Sequence, residues 1–495
     1  MASTRKADDH SCEWRSEATE LKAQLSATSN ELADVREELA ALKKKLFGKS
    51  SEKMPPMDRE VRRGRKPDKA AQAKARLENE QKRLELQTEF VPAPVPDEAK
   101  RCPRCADGGR FDEVGDGKHT SILEYVPGYF RRRVFQRQTV ACKCGKHIVT
   151  APVPDKVFDR TQYGPTFISW LVVTKCCDAT PIYRLEKMFL RMGIPMSRST
   201  MTRLFNRAGE LVAVLASAIL DRIAKARLVL ADETPQRLQN GSKGYMWTFI
   251  AGPLVAYQFS ITRSGDTPKR VLGDSTGTLL VDQYTGYNAV TTPGRRERAG
   301  CLAHVRRKLF DALPTAPEAA EALELIRQIY VIEAQVKGAE LVGTPDHAEQ
   351  REREVLPLLD RLYIWLAQRK EQYRPKSTMG KAIRYAMRHW QSLTRFIRDP
   401  FIPPDNNRSE NALRIVALLR KTSMFANDPD TADNLAALLT IVATCVAHEV
   451  DPLAYLSDIL LKVGNLPRDP APEAIAALLP DAWTAPAKVT PRAPP

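Results

Sequence analysis

The sequence predicts a multidomain chain of mixed α and β structure, in which an α/β core is preceded by a heptad helix and a cysteine-paired segment. Three observations predict it. Apolar residues recur at alternating spacings of four and three over residues 21–46, and two tight cysteine pairs flank residues 106–141. Strand-like apolar runs then occupy residues 227–281, before a long helical pattern and an acid behind a pair of prolines. At 495 residues the chain exceeds one ordinary core, and a hydrophobic share of 43% supports folded domains over wholesale disorder.

The first element, residues 15–48, carries Leu21, Leu25, Thr28, Leu32, Val35, Leu39, Leu42 and Leu46 on one seam, with Thr28 its single polar position. Such a seam must bury itself against another helix, which points to a coiled coil and a homo-oligomer, or to packing on the chain's own body. Residues 49–98 follow as a basic linker containing prolines. Its Arg62, Arg63, Arg65 and Lys66 suit sequence-independent phosphate contact, although a merely solvated linker has the same composition.

Residues 99–150 hold Cys102 and Cys105 as a CxxC pair and Cys142 and Cys144 as a CxC pair. Four soft thiolates at this spacing suit a closed, structural Zn²⁺ site; buried free thiols are the alternative. Tyr125–Phe130 and Val134–Val140 read as strands that would bring the pairs together, and Arg131, Arg132 and Arg133 would make this zinc-finger-like segment a DNA reader. Residues 158–222 read as helical. A helix at 181–190, a turn at 192–195 and a second helix capped by Ser197 or Ser199 outline a helix-turn-helix, and equally any helical hairpin.

The central region, residues 226–430, presents three acids in three local settings. An apolar strand ends in Asp232 and Glu233, and strands at Tyr245–Ala251 and Val255–Ile261 complete a meander with Trp247 facing the core. After a short helix near 268–272, a second apolar strand ends in Asp282. Glu410 opens a helix behind Pro403 and Pro404, where a carboxylate is favoured electrostatically. Carboxylates held together can bind the divalent ions that phosphoryl transfer at DNA needs, but acids at strand ends and helix starts are commonplace. Spacing alone leaves their convergence open.

Between Asp282 and Glu410, His304, Arg306, Arg307 and Lys308 share a basic amphipathic helix, and Arg408 and Arg414 flank Glu410 as further candidates for DNA contact. A helical insertion at about 315–395 contains Trp365 and Trp390, both read as core. Residues 431–464 form a C-terminal helical segment, and 465–495 a proline-rich tail. The formal charge of +16, from 76 Lys and Arg against 60 Asp and Glu, suits a polyanionic partner. A polar start and the lack of an 18-residue apolar run lead us to expect a cytoplasmic protein with no membrane partner.

The ordered motifs carry a more specific resemblance. They include Leu-Phe-Gly-Lys-Ser-Ser-Glu-Lys at 46–53, the two cysteine pairs, Pro-Ile-Tyr-Arg at 181–184 and Ala-Asp-Glu-Thr-Pro at 231–235. Gly-Tyr-Met-Trp at 244–247, Arg-Ser-Gly at 263–265, Gly-Tyr-Asn at 286–288 and Cys-Leu-Ala-His-Val-Arg-Arg-Lys at 301–308 continue the series. It closes with Asn-Asn-Arg-Ser-Glu-Asn-Ala-Leu-Arg at 406–414 and Asp-Pro-Leu-Ala-Tyr-Leu at 451–456. Across nearly its whole length the chain resembles the insertion-sequence-66 (IS66) family of transposases. The resemblance implies a ribonuclease-H-like core with a helical insertion. It implies a magnesium- or manganese-binding triad at Asp232, Asp282 and Glu410, action on terminal inverted repeats and target DNA, and accessory proteins from the same element. Residues 420–428 lack the family's usual tryptophan and glycine, and Gln283 replaces the glycine expected after the second aspartate. A catalytically inactive DNA-binding remnant and a metal-dependent nuclease are the rival readings.

Overall fold

The computed structural model describes residues 16–25, 155–159, 161–194, 196–423 and 428–485, with short stretches and isolated positions elsewhere in the first 150 residues. It divides into two units, residues 1–131 and 132–495. In the first unit residues 16–25 are helical, and the described apolar members of the heptad seam, Leu21, Leu25, Val35 and Leu39, are all exposed. Cys102, Cys105, Cys142, Cys144, Arg62, Arg63, Arg65, Lys66, Arg131, Arg132 and Arg133 lie outside the described residues.

The second unit begins with a small antiparallel hairpin, β1 (Thr139–Ala141) and β2 (Ile148–Thr150). The strand expected over 134–140 starts only at Thr139, and Val134 and Phe130 lie outside any strand. Three helices follow: α1 (Pro165–Cys176), α2 (Ile182–Arg191) and α3 (Arg198–Ala224). Ser197 caps α3, its hydroxyl accepting the Thr200 N–H at 3.2 Å. α3 runs 27 residues because Met201, Leu204, Ala208, Val212, Leu215, Ile219 and Ile223 keep one apolar stripe buried along it.

An open five-stranded sheet supplies the platform. β3 (Leu228–Arg237), β4 (Lys243–Ala251) and β5 (Leu254–Ser260) form the antiparallel meander, and β6 (Gly277–Leu280) and β7 (Arg296–Ala299) extend it on the other side in parallel. The order is β5-β4-β3-β6-β7, with α4 (Asp266–Leu272) crossing from β5 to β6. Trp247 is fully buried in β4, facing the core as the sequence reading expects. The expected strands and the helix at 268–272 therefore stand within a few residues of the observed elements.

Beyond β7, α5 (Leu302–Ala312) leads into α6 (Ala319–Gly338), α7 (Pro345–Gln350), a π-helical turn at Arg351–Val355, α8 (Leu356–Arg369), α9 (Thr378–Arg388) and α10 (Trp390–Leu393). Trp365 is buried and donates its indole N–H to Glu321 at 2.7 Å; Trp390 packs partly buried against the core. Two short helices follow, α11 (Asn407–Ala412) and α12 (Arg414–Ser423). The chain breaks helix at Leu413, so Arg414 opens a new helix.

α13 (Pro429–Ala447) lies against β5 and α3, and α14 (Pro452–Gly464) against α1. The short α15 (Pro472–Ala476) follows. A Cβ on Gly209 in α3 would come within 2.7 Å of Asn434, so only glycine allows the two long helices this approach. Among the described residues α13 is the one helix long and apolar enough to cross a membrane, yet 67% of its apolar window is buried inside the protein. Its threonines explain the placement. The Thr440 hydroxyl accepts the Tyr257 N–H at 2.9 Å, and Thr444 both accepts the Val255 N–H at 3.2 Å and donates to the Val255 carbonyl at 2.9 Å. The Val255 and Tyr257 amides and the Val255 carbonyl on the outer edge of β5 are thereby satisfied by side chains instead of water.

Thr444→Val preserves shape and leaves the Val255 amide and carbonyl without this partner. We expect a loss of about 1–2 kcal/mol, checked by urea unfolding, with Thr444→Ser recovering most of it.

Candidate active site

Strand register puts two acids together. β3 and β6 run parallel with Leu230 opposite Leu280, so Asp232 and Asp282 each stand two residues beyond a paired leucine, at the same edge of the sheet. Alternation along β3 sends Asp232 and Glu233 to opposite faces. Asp282 is fixed in a tight turn, its Oδ1 accepting the Tyr284 N–H at 2.9 Å.

Glu410 arrives from far along the sequence, and Asn406 explains how. The Asn406 side chain, 2% exposed, donates to the carbonyl of Ala231 at 2.8 Å, while its backbone N–H donates to the Cys301 sulfur at 3.3 Å. The start of α11 is thus tied to β3 beside Asp232 and to the start of α5. Leu302 donates its N–H to the Pro404 carbonyl at 2.9 Å, a second stitch between the same segments. The preceding loop is organised by Arg351, only 1% exposed, which donates to the carbonyls of Phe396, Asp399 and Ile402. Glu333 balances its charge through two hydrogen bonds of 2.7 and 2.8 Å. The π-helical turn places Arg351 at this junction.

The electrostatics follow from this crowding. Burial first, and the neighbouring charge of Glu233 second, push the Asp232 carboxyl up to about 7; Asp282 and Glu410 push the same way, and the Glu233 N–H, donating to Asp232 Oδ1, opposes them. Burial likewise raises Glu233, against a hydrogen bond from Tyr287 at 2.7 Å and two from Arg263 at 2.6 and 2.9 Å. Arg263 in turn lies over the Tyr284 ring, 4.0 Å from its centroid, and Tyr287 meets Trp247 edge-on.

Glu410 is turned toward α5. Among the described residues it forms a tight group with Cys301 and His304, whose potential ligand atoms all lie within 4.8 Å of one another, and the two aspartates stand outside that group. Like charges drive carboxylates apart, and Arg307 at 3.5 Å draws Glu410 to its side. The group is a candidate metal-binding cluster. Glu410 Oε1, His304 Nδ1 and Asn406 Oδ1 are each buried without a hydrogen-bond partner, an arrangement that a cation at Glu410 and His304 would relieve for those two. Burial lowers His304, favouring the neutral imidazole that binds metals, whereas it pushes the Cys301 thiol up to about 12. The donors differ in kind: the aspartates and Glu410 offer the hard oxygens that Mg²⁺ or Mn²⁺ prefer, and His304 and Cys301 the softer atoms.

The remaining sequence candidates occupy distinct settings. Arg306 and Lys308 are half-buried on α5 and Arg307 is exposed. Arg408 is exposed and donates to the Gly252 carbonyl, while Arg414 is exposed on α12. Sequence reasoning passed over Asn406, Arg351, Arg263 and Tyr287. The motifs at 406–414, 263–265 and 286–288 contained Asn406, Arg263 and Tyr287, but nothing in the sequence marked their partners.

Comparison with known proteins places this site in a family. The transposase IS66 family model matches residues 160–434, more than half of the chain. Three proteins of Sinorhizobium fredii, each carried only as an uncharacterized protein, are similar over most of their length. The protein y4jD is 28% identical over 74% of this chain and 75% of its own length. The corresponding values are 30%, 73% and 71% for y4qI, and 26%, 73% and 70% for y4hP. The chain belongs to the IS66 transposase family. Membership associates it with mobile DNA and recombination, and the metal-ligand cluster agrees with a transposase or nuclease type of function.

Because Asp232 holds its proton to about 7 in the folded chain and to only about 4 when unfolded, the folded state loses stability as pH rises through that window. Asp232→Asn removes this penalty. At pH 8 and without divalent ions, the variant is expected to melt about 2–4 °C above wild type. Mn²⁺ should raise the wild-type melting temperature at pH 8 and raise that of the variant much less, as thermal unfolding would show.

Proposed function

We propose that this protein is an Asp–Asp–Glu polynucleotidyl transferase with a ribonuclease-H-like core. In this reading Asp232, Asp282 and Glu410 together hold Mg²⁺ or Mn²⁺, and the enzyme cuts and joins DNA at the terminal inverted repeats of its element. The observation that carries the proposal is the register-matched pair Asp232 and Asp282, with the helix of Glu410 tied beside it through Asn406 and Ala231. Sheet order β5-β4-β3-β6-β7, with the antiparallel meander first and the parallel strands after it, supports the core assignment.

Bound divalent ions would activate the attacking water or 3′ hydroxyl and stabilise the departing oxygen. The chain's own part is to hold the acids ready. Glu233, kept in place by Arg263 and Tyr287, stiffens β3 behind Asp232. His304 stands beside Glu410 as a neutral group and adds no repulsion toward a divalent ion. Arg307 offsets part of the negative charge at Glu410 and can move to the phosphate as DNA enters.

The same proposal assigns residues 15–48 to a coiled coil that assembles the protein as a homo-oligomer, and residues 49–98 to a basic linker. Residues 99–150 are assigned to a zinc-finger-like segment in which Cys102, Cys105, Cys142 and Cys144 bind structural Zn²⁺. Residues 158–222 would support DNA binding through α2 and α3, and proteins encoded by the same element would assist. The protein would be cytoplasmic, bound to the nucleoid when on DNA.

The decisive assay follows cleavage and joining of a labelled duplex carrying the element's terminal repeats, in Mg²⁺ or Mn²⁺, with any accessory proteins supplied. Asp232→Asn, Asp282→Asn and Glu410→Gln are each expected to reduce joined product by about 10³-fold or more. Cleavage without joining would favour a nuclease. Binding without either would identify an inactive remnant and overturn the proposal.

A further inference from the structure

The proposed chemistry leaves the helices of the insertion, α6 to α10, without a part in substrate binding. Their last two, α9 and α10, are where the insertion meets the sheet. α9 packs along α5, the helix of His304. Ser392 of α10 accepts the Gly300 N–H on its carbonyl at 2.8 Å and the Gln283 side-chain amide on its hydroxyl at 3.0 Å. Arg395, just beyond, donates to the Arg298 carbonyl at 3.1 Å. The insertion therefore grips the residue after Asp282 and the residue before Cys301. Gly300 makes the fit possible, since a Cβ there would come within 2.8 Å of Gln283 and 3.1 Å of Leu393.

This junction carries a distinctive set of side chains. The Lys308 ammonium sits 4.7 Å from the centre of the Tyr385 ring, and Tyr385 meets His389 at 5.2 Å in an edge-on contact. Arg298, on β7, lies within electrostatic reach of Asp282 and Tyr385. Its one side-chain hydrogen bond among the described residues runs to Asn288 at 3.1 Å, and its Nε is buried without a partner. A ring face attracts an ammonium but accepts none of its hydrogen bonds in the ordinary way. Arg298, half-buried with an unpaired Nε, lacks a partner that an anion with several acceptor oxygens would supply, and Lys308 adds a second half-buried positive charge beside Tyr385. A phosphodiester has that chemistry, and a backbone threaded past Asp282 would pass this wall.

We propose that the end of the helical insertion forms a phosphate ledge, in which Arg298 and Lys308, with Lys308 seated on Tyr385, hold the DNA backbone beside Asp282. The inference rests on the reading of Asp232, Asp282 and Glu410 as a site that acts on DNA. It assigns the insertion a direct part in substrate binding, beyond its packing of the loop before Glu410. Tyr385 is a positioning residue here: it holds the ammonium at a fixed height, and Arg298 and Lys308 make the phosphate contacts.

The test is a salt series. Binding of the full-length protein to a fluorescein-labelled duplex carrying the terminal repeat is measured by anisotropy across ionic strength. Wild type is compared with Lys308→Ala, Lys308→Arg, Tyr385→Ala and the double variant Arg298→Gln/Lys308→Ala. Each lost phosphate contact lowers the slope of log K against log salt by about 0.9. The double variant is expected to lose about 1.8 and Lys308→Ala about half of that. Lys308→Arg should keep the wild-type slope, and Tyr385→Ala should weaken binding in the same direction as Lys308→Ala. A role confined to packing would change melting temperature and leave the slope alone. A wild-type slope in the folded double variant overturns the ledge; should that variant fail to fold, the slope of Lys308→Ala alone decides. Wild-type cleavage with an unchanged slope in the variants defeats the ledge alone. A shifted slope in a protein that never cleaves defeats the catalytic reading and leaves the ledge standing.

Discussion

One buried amide carries much of the architecture around the acids. Asn406 donates its side chain to the carbonyl of Ala231 across 175 residues of sequence, and its main-chain N–H reaches the sulfur of Cys301. Three segments meet at that residue: the end of β3, the start of α5 and the start of α11. A hydrogen bond enclosed this deeply competes with no water, and its loss would strand a buried carbonyl. The opposing force is equally local. Asp232, Glu233, Asp282 and Glu410 repel one another, and the fold holds them near through Arg263 on Glu233, Arg307 on Glu410 and main-chain ties at Asp232 and Asp282.

The insertion connects to this arrangement at two points of different character. Arg351 is a fully enclosed cation whose donors converge on a loop of three carbonyls, with Glu333 as its counter-charge. Removing one member of such a pair costs far more than the pair contributes, because the partner's charge remains buried. Ser392 and Arg395 make the second connection through neutral and main-chain contacts to Gln283, Gly300 and Arg298. The first connection fixes the path of the chain toward Glu410, and the second sets the wall next to Asp282.

Much of the sheet was legible because its signals are local. Apolar runs marked β3, β4 and β5, and an apolar run ending in an acid marked both Asp232 and Asp282. Their mutual approach was not legible: it depends on which leucine of β3 faces which leucine of β6, a register set by parallel pairing across a crossover. Glu410 was recognisable as a helix-opening acid, yet its turn toward His304 and Arg307 arises from tertiary charge. Arg351 left no trace, since one arginine reaching three carbonyls has no period. The sequence reads residues 431–464 as a C-terminal helical segment. That α13 within it lies against β5 and α3 was not legible, because threonines spaced four apart address a strand edge, a use that composition does not reveal.

That use of Thr440 and Thr444 constrains how the protein can decay and how it can assemble. A frameshift or stop between residues 411 and 428 would spare Asp232, Asp282 and Glu410 while uncovering a ready-made template for intermolecular strand pairing. Such a shortened copy would be lost to aggregation before its chemistry was ever tested. In the intact protein the same covering closes the β5 side of the sheet to a neighbouring copy.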